Sequence, residues 1–169
     1  NNAYCQDNAM SWTSWDLTRE DRRFLNFVRR VIRIRQEQPV FQRHNFFRGR
    51  PIHGSTLKDI AWFRPDGVEM STNDWHSSEH MSFGLVLGGD AIDEVDAKGN
   101  PIAGDTLLML LSYNLEKACH FVLPAYKAEH RWELLVDTRF DVAPADQERF
   151  WTLEADYHLE PHCLALFRL

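Results

Sequence analysis

The sequence predicts one amphipathic helix followed by an all-β domain, an antiparallel β-sandwich. Two observations carry this. Apolar residues recur at helical spacing only between Phe24 and Ile34. From Val40 onward, short apolar and aromatic runs alternate with turn residues, with no helical pattern between them.

Residues 1–16 are polar and aromatic, with Asn1, Asn2, Tyr4, Gln6, Asp7, Asn8, Trp12 and Trp15, and show no clear period. They read as a loop that packs through its tryptophans. The helix follows. Thr18 and Asp21 stand three apart, a variant of the capping box with Asp in place of Glu or Gln. Phe24, Phe27, Val28, Val31, Ile32 and Ile34 form its apolar stripe. Arg22, Arg23, Arg29, Arg30, Arg33 and Arg35 fall mostly between them. Glu20 and Asp21 in the first turn, with arginines later, suit the helix dipole. Pro39 stops the helix and biases Gln38 away from helical angles. The arginines make a solvated face. The apolar stripe is wider than a small sandwich need cover, so the helix reads as an element of a larger body upstream.

Strands are expected at 44–48, 59–64, 82–87, 107–113, 119–123, 132–137, 150–153 and 163–168. Turn material lies at Pro65-Asp66-Gly67, Gly88-Gly89-Asp90, Lys98-Gly99-Asn100-Pro101 and Pro124-Ala125. Residues 88–105 read as a hairpin tip that buries little. No internal repeat or low-complexity tract appears.

The 169 residues allow one sizeable core. A net charge of -6 makes nucleic acid an unfavourable partner, because nothing is gained at phosphates. The longest apolar run, Leu107 to Leu111, is too short to span a bilayer, so no membrane partner is expected. The N-terminus has no features of a signal peptide, and the missing initiator methionine points to a fragment. Cys5, Cys119 and Cys163 are odd in number and widely spaced, with no disulfide framework or metal pattern. A reducing, cytoplasmic setting fits. Cys119 and Cys163 read as buried thiols, and Cys5 has no flanking base to activate it.

Three patterns invite chemical readings. His76-Ser77-Ser78-Glu79-His80 spells HxxEH, which binds zinc when both histidines share one helical face. Here it follows Asp74-Trp75 in a polar stretch between strands, and the simpler reading is a loop. His158 and His162 also stand four apart, but Pro161 breaks any helix between them. Asp66, Glu69 and Asp74 cluster in sequence. A glycosidase pair would need a cleft and a shifted pKa, whereas turn chemistry and a solvated face explain them without either. No metal and no cofactor is expected. Trp62, Trp75, Trp132 and Trp151 lie in or beside strands. Aromatics in a sandwich belong more often to the core than to a sugar platform, unless a pair of them is exposed to solvent.

Several runs carry a resemblance. NNAYCQDN at 1–8 with Ser11-Trp12 and Trp15, His44-Asn45-Phe46-Phe47-Arg48-Gly49, KDIAWFRPDGVEM at 58–70 with Asn73-Asp74-Trp75, and Trp132 to Thr138 occur in an order shared with one family. The chain resembles the C-terminal part of isoamylase-type bacterial glycogen debranching enzymes, of the alpha-amylase superfamily. Two positions depart: Ala9 stands where the family usually has an acidic residue, and Ser14 precedes Trp15 where it often has Asp.

The resemblance implies a parent that hydrolyses α-1,6 branch linkages in glycogen or limit dextrin with retention. That chemistry uses two carboxyl groups about 5–5.5 Å apart. In the family they sit on a barrel of about 250 residues, upstream of the segment resembling residue 1. The fragment is therefore expected to hold no catalytic residue. Residues 1–39 would be a loop and the last helix of the upstream (β/α)8 barrel, and 40–169 the C-terminal β-sandwich domain. Asp7, Asn8 and Trp12 become candidates for the rim of the substrate site. The implied partners are the upstream catalytic barrel and, through the parent, glycogen or branched α-glucan, with self-association of the fragment through its helix. The alternative is a glucan-binding β-sandwich module.

Overall fold

The computed structural model describes residues 5–51, 58–77, 81–125, 130–140 and 149–169. Helix α1 spans Arg19–Glu37. Its capping box is made: the Asp21 N–H donates to Thr18 Oγ1 at 3.2 Å, and the Thr18 N–H to Asp21 Oδ2 at 2.9 Å. At the other end the Gln38 N–H still reaches Ile34 O at 3.0 Å, and Pro39 then opens a 3-10 turn, Pro39–Gln42.

The rest is antiparallel sheet. Strands β1 (Ile60–Phe63), β2 (Ser82–Leu87), β3 (Leu107–Ser112), β5 (Arg131–Asp137), β6 (Phe150–Thr152) and β8 (Leu164–Arg168) form one sheet in the order β1-β2-β3-β8-β5-β6. Strands β4 (Cys119–Val122) and β7 (Asp156–Leu159) form a separate two-stranded ribbon. The expected sandwich is present, with layers of unequal width.

Strand alternation assigns the side chains to two cores. On one face Val86, Leu108, Leu110, Trp132, Leu134, Ala165 and Phe167 meet Phe121, Leu123, Tyr157 and Leu159 from the ribbon and its flank. On the other face Leu87, Leu107, Leu135, Val136 and Leu166 meet Val40, with Phe27 and Ile34 of α1 packed against them. One strand breaks the alternation. A β-bulge lies between Leu134 and Val136, so the consecutive residues Leu135 and Val136 share the helix-side core, and Asp137 turns back to the ribbon.

Polar ties fix the helix end to the sheet. Gln38 is buried and donates its amide to Asp105 at 3.0 Å. Arg168 reaches the same carboxylate at 3.3 Å and also pairs with Glu133, which takes Arg149 at 2.9 Å.

Three points of the sequence reading need correction. Residues 44–48 are not a strand. Their N–H groups go to side chains instead of a ladder: Glu94 Oε1 takes those of His44 (2.7 Å) and Asn45 (2.8 Å), and Asp59 takes that of Arg48 (2.8 Å). With its donors used this way the segment wraps over the sheet, and Phe46 stands 92% exposed. Conversely, β7 was not expected. The 88–105 segment is a tip only at its outer end: Asp96 accepts from Lys98 and Asn100, while Ile92 is buried and Ile102 packs beside it.

Candidate functional site

The substrate-rim candidates come first along the chain. Residues 5–12 fold back on themselves through local bonds. The Trp12 Nε1–H donates to Asp7 Oδ1 at 2.6 Å, the Met10 N–H to Asn8 Oδ1 at 3.0 Å, and Ser11 Oγ to Gln6 O at 2.6 Å. Asp7, Asn8 and Trp12 are therefore brought together, on an exposed turn. Asn1, Asn2 and Tyr4 lie outside the described residues.

The zinc pattern gains no support. His76 ends an exposed 3-10 turn, Asp74–His76, and residues 78–80 lie outside the described residues. Among the described residues no group of three or more His, Cys, Asp or Glu side chains could hold a metal ion. His158 lies in β7, and its ring stacks edge to face with that of His120 across the ribbon at 5.2 Å. His162 follows in a turn with a left-handed backbone, φ 53. Among the described residues no helix is long and apolar enough to cross a membrane. The three thiols are free. Cys119 and Cys163 are half-buried, so the reading of both as buried goes too far, and burial pushes the Cys119 thiol up and away from thiolate chemistry.

Asp66, Glu69 and Asp74 are held as structural ions. Arg64 bridges Asp66 at 2.6 Å and Asp74 at 3.2 Å, and Glu69 pairs with Lys58. The hydroxyl and N–H of Ser71, and then Arg64, hold the Asp74 carboxyl well below the usual carboxylate range. A glycosidase acid requires the opposite shift. The lowered pKa fixes a sign. Asp74 contributes its full stability above its unfolded pKa of about 3.9, and loses it as pH falls through the depressed folded value. The melting-temperature gap between wild type and Asp74→Asn is accordingly expected to be widest near neutrality and to narrow steadily in acid. A gap independent of pH would contradict the assignment.

Asp137 is buried. It accepts from the Tyr157 hydroxyl and from the Arg139 N–H at 2.8 Å. Burial first, and then this bond, push the Tyr157 phenol far above its usual value, so it stays a neutral donor.

The tryptophans divide. Trp132 is fully buried, and Trp151 packs on Tyr157 and Phe167. Trp62 faces away from the ribbon, because its neighbours Ala61 and Phe63 face toward it. Its ring meets Trp75 at 5.2 Å and Phe83 at 5.5 Å, and Phe83 meets Tyr113 at 6.0 Å. The sequence reading missed this row; alternation along Ile60–Phe63 signals only that Trp62 leaves the ribbon side.

A cavity of about 450 Å³ separates part of α1 from the sheet. Val31, Ile34, Phe41, Met109 and Leu166 line it, with few polar groups. α1 also presents apolar side chains to solvent: Ile32, at the cavity's edge, is 51% exposed, and Phe24 is 67% exposed.

No family model matches the chain. Individual proteins do. The glycogen operon protein GlgX homolog of Mycobacterium tuberculosis is 34% identical over 147 residues, which is 86% of this chain and 20% of that protein. The chain belongs to the isoamylase-type glycogen debranching enzymes, as their C-terminal part. Among other members of this debranching family, the glycogen debranching enzyme of Dickeya chrysanthemi is 35% identical over 81 residues, 48% of this chain and 11% of that enzyme. The isoamylase of a Flavobacterium species is 22% identical over 140 residues, 82% of this chain and 17% of that enzyme. The chain thus spans about one fifth of the length of the first of these debranching-family relatives.

Proposed function

We propose that this chain is the accessory, structural β-sandwich part of a longer glycoside hydrolase that cleaves α-1,6 branch linkages in glycogen or limit dextrin. In this reading the catalytic carboxylates belong to the upstream barrel. Residues 1–39 supply a loop and the last helix of that barrel, and 40–169 the domain that braces it. The observation that carries the proposal is the doubly apolar helix. One flank of α1 packs on the sheet through Phe27 and Ile34, while Phe24 and Ile32 remain open to solvent. A monomeric domain gains nothing from exposing large apolar groups on a helix, and a barrel would bury them. Asp7, Asn8 and Trp12, gathered on one turn before the helix, stand at the rim of the parent's substrate site, where loops after barrel strands lie.

The test is release of linear chains from glycogen β-limit dextrin, with the 169-residue chain and its full-length parent assayed side by side. Activity in the parent alone is the expected result. Release by the chain alone overturns the reading and returns attention to its own carboxylates.

The exposed flank has a second consequence. The isolated chain is expected to self-associate with rising concentration in sedimentation velocity, and the double variant Phe24→Asp with Ile32→Asp to remain monomeric. A monodisperse wild-type monomer at high concentration would count against the docking role of α1.

A further inference from the structure

Strand parity places the aromatic row across β1, β2 and the end of β3 on the face away from the ribbon, the same face as the helix-side core, of which neither Trp62 nor Phe83 is a member. Trp75 stands nearly perpendicular to Trp62, with an angle of 80° between the ring planes, and Tyr113 meets Phe83 at 62°. Edge-to-face packing engages one ring's edge and one face of its neighbour, and each outer ring keeps about half of its surface in solvent. Both ends of the row reach solvent, Trp75 at 51% and Tyr113 at 49% exposure, while Trp62 and Phe83 are half-buried between them. The middle rings therefore hold the outer ones in place.

Beside Trp75 lies a fixed polar fork. Asp74 is bonded to the Ser71 hydroxyl and N–H, both at 2.7 Å, and to Arg64, which also holds Asp66. Carboxylate acceptors and guanidinium donors thus border the ring at set positions, with little rotamer freedom left to lose on binding. Pyranose rings match such a surface. Their C–H faces are weakly positive and lie on aromatic π-faces, while their equatorial hydroxyls radiate outward and both donate and accept. Charge narrows the class further. Asp66, Glu69 and Asp74 outnumber Lys58 and Arg64 here, and the chain carries -6 overall, so phosphorylated or sulfated glycans are repelled.

We propose that Trp62, Trp75, Phe83 and Tyr113, with the Arg64–Asp74 fork, form a surface binding site for a neutral linear α-glucan chain. This rests on the reading of the parent as a glycogen-acting enzyme. The site would hold the polymer near the barrel between cleavage events.

The experiment is affinity electrophoresis of the 169-residue chain in gels containing glycogen, paired with tryptophan fluorescence titration by maltoheptaose. Retardation of the wild type is expected. Trp75→Ala and Tyr113→Ala are each expected to weaken binding about tenfold, and Phe46→Ala, at an exposed ring elsewhere, to leave it unchanged. Should Trp75→Ala lose its cooperative melting transition, Tyr113→Ala and the wild-type titration decide. No retardation of the wild type overturns the proposal. So does retardation that survives both substitutions. A parent that fails to debranch would sink the proposed function while these binding results stood, so the two failures are distinguishable.

Discussion

Trp132→Ala is expected to remove about 3–5 kcal/mol of folding stability, the figure typical of large aromatic truncations in a core. The side chain is the largest of those wholly shielded from solvent. Its ring joins the core between the sheet and the ribbon, and its Nε1–H donates to Pro124 O at 3.0 Å, pinning the segment that follows β4. Alanine opens a cavity there and also leaves a carbonyl without its donor. Trp132→Phe separates these effects. It keeps most of the volume and removes only the bond, at a cost of about 1–3 kcal/mol. Urea denaturation of the three proteins should rank them wild type, Phe, Ala. A domain of this size holds roughly 5–15 kcal/mol in total, so the alanine variant should be markedly unfolded at moderate urea. Equal midpoints for the two variants would show that the hydrogen bond, not the packing, dominates.

The second large effect lies at a glycine with no room for any side chain. A Cβ on Gly89 would stand 1.9 Å from Asp105 O and 2.5 Å from Gly104 O. Both are backbone atoms, so no rotamer change relieves the clash. The Gly89 carbonyl itself accepts from the Gly104 N–H at 2.8 Å, which closes the base of the hairpin leading into β3. Gly89→Ala must prise this base apart and is expected to cost about 3 kcal/mol or more. Gly99, at the tip of the same hairpin, gives the control. It has φ +83 and nothing within 4 Å of a Cβ, so Gly99→Ala costs only the left-handed backbone term, about 1 kcal/mol. Thermal melts of the two variants should differ clearly, and similar losses would refute the steric argument.

What the sequence disclosed and what it hid follow from local and non-local causes. The Thr18–Asp21 box and Pro39 are local signals, and the helix ends where they place it. Strands β2, β3 and β8 are continuous apolar runs because the sheet is covered on both faces, and such runs are readable without knowing their partners. The sequence 44–48 carries two phenylalanines, yet its backbone is claimed by Glu94 and Asp59, which lie far along the chain. Only the folded structure brings those carboxylates close. Strand β7 fails for the opposite reason. Asp156, Tyr157, His158 and Leu159 alternate correctly, but four residues give too short a period to stand out. The rim candidates Asp7, Asn8 and Trp12 were reached through family resemblance, and their mutual bonds are local enough to have been drawn from spacing. The Trp62–Tyr113 row was not legible residue by residue, because its order depends on which strands are neighbours.

The bulge in β5 changes the phase of that strand. Up to Leu134 the strand obeys one parity, and from Val136 onward it obeys the other. This offset lets one short strand present Trp132 and Leu134 to the ribbon, two residues together to the helix side, and then Asp137 back to Tyr157. Deleting Leu135 would remove the extra residue and leave Val136 and Asp137 on their present faces, at the loss of one apolar side chain from the helix-side core, whereas inserting a residue between Val136 and Asp137 would turn the Asp137 carboxylate into the apolar layer beneath α1. Just after Val136 the domain should accept conservative exchanges of one aliphatic for another, yet admit no added residue. Length variation in the family is then expected to gather at turns such as 96–100 and to avoid this strand.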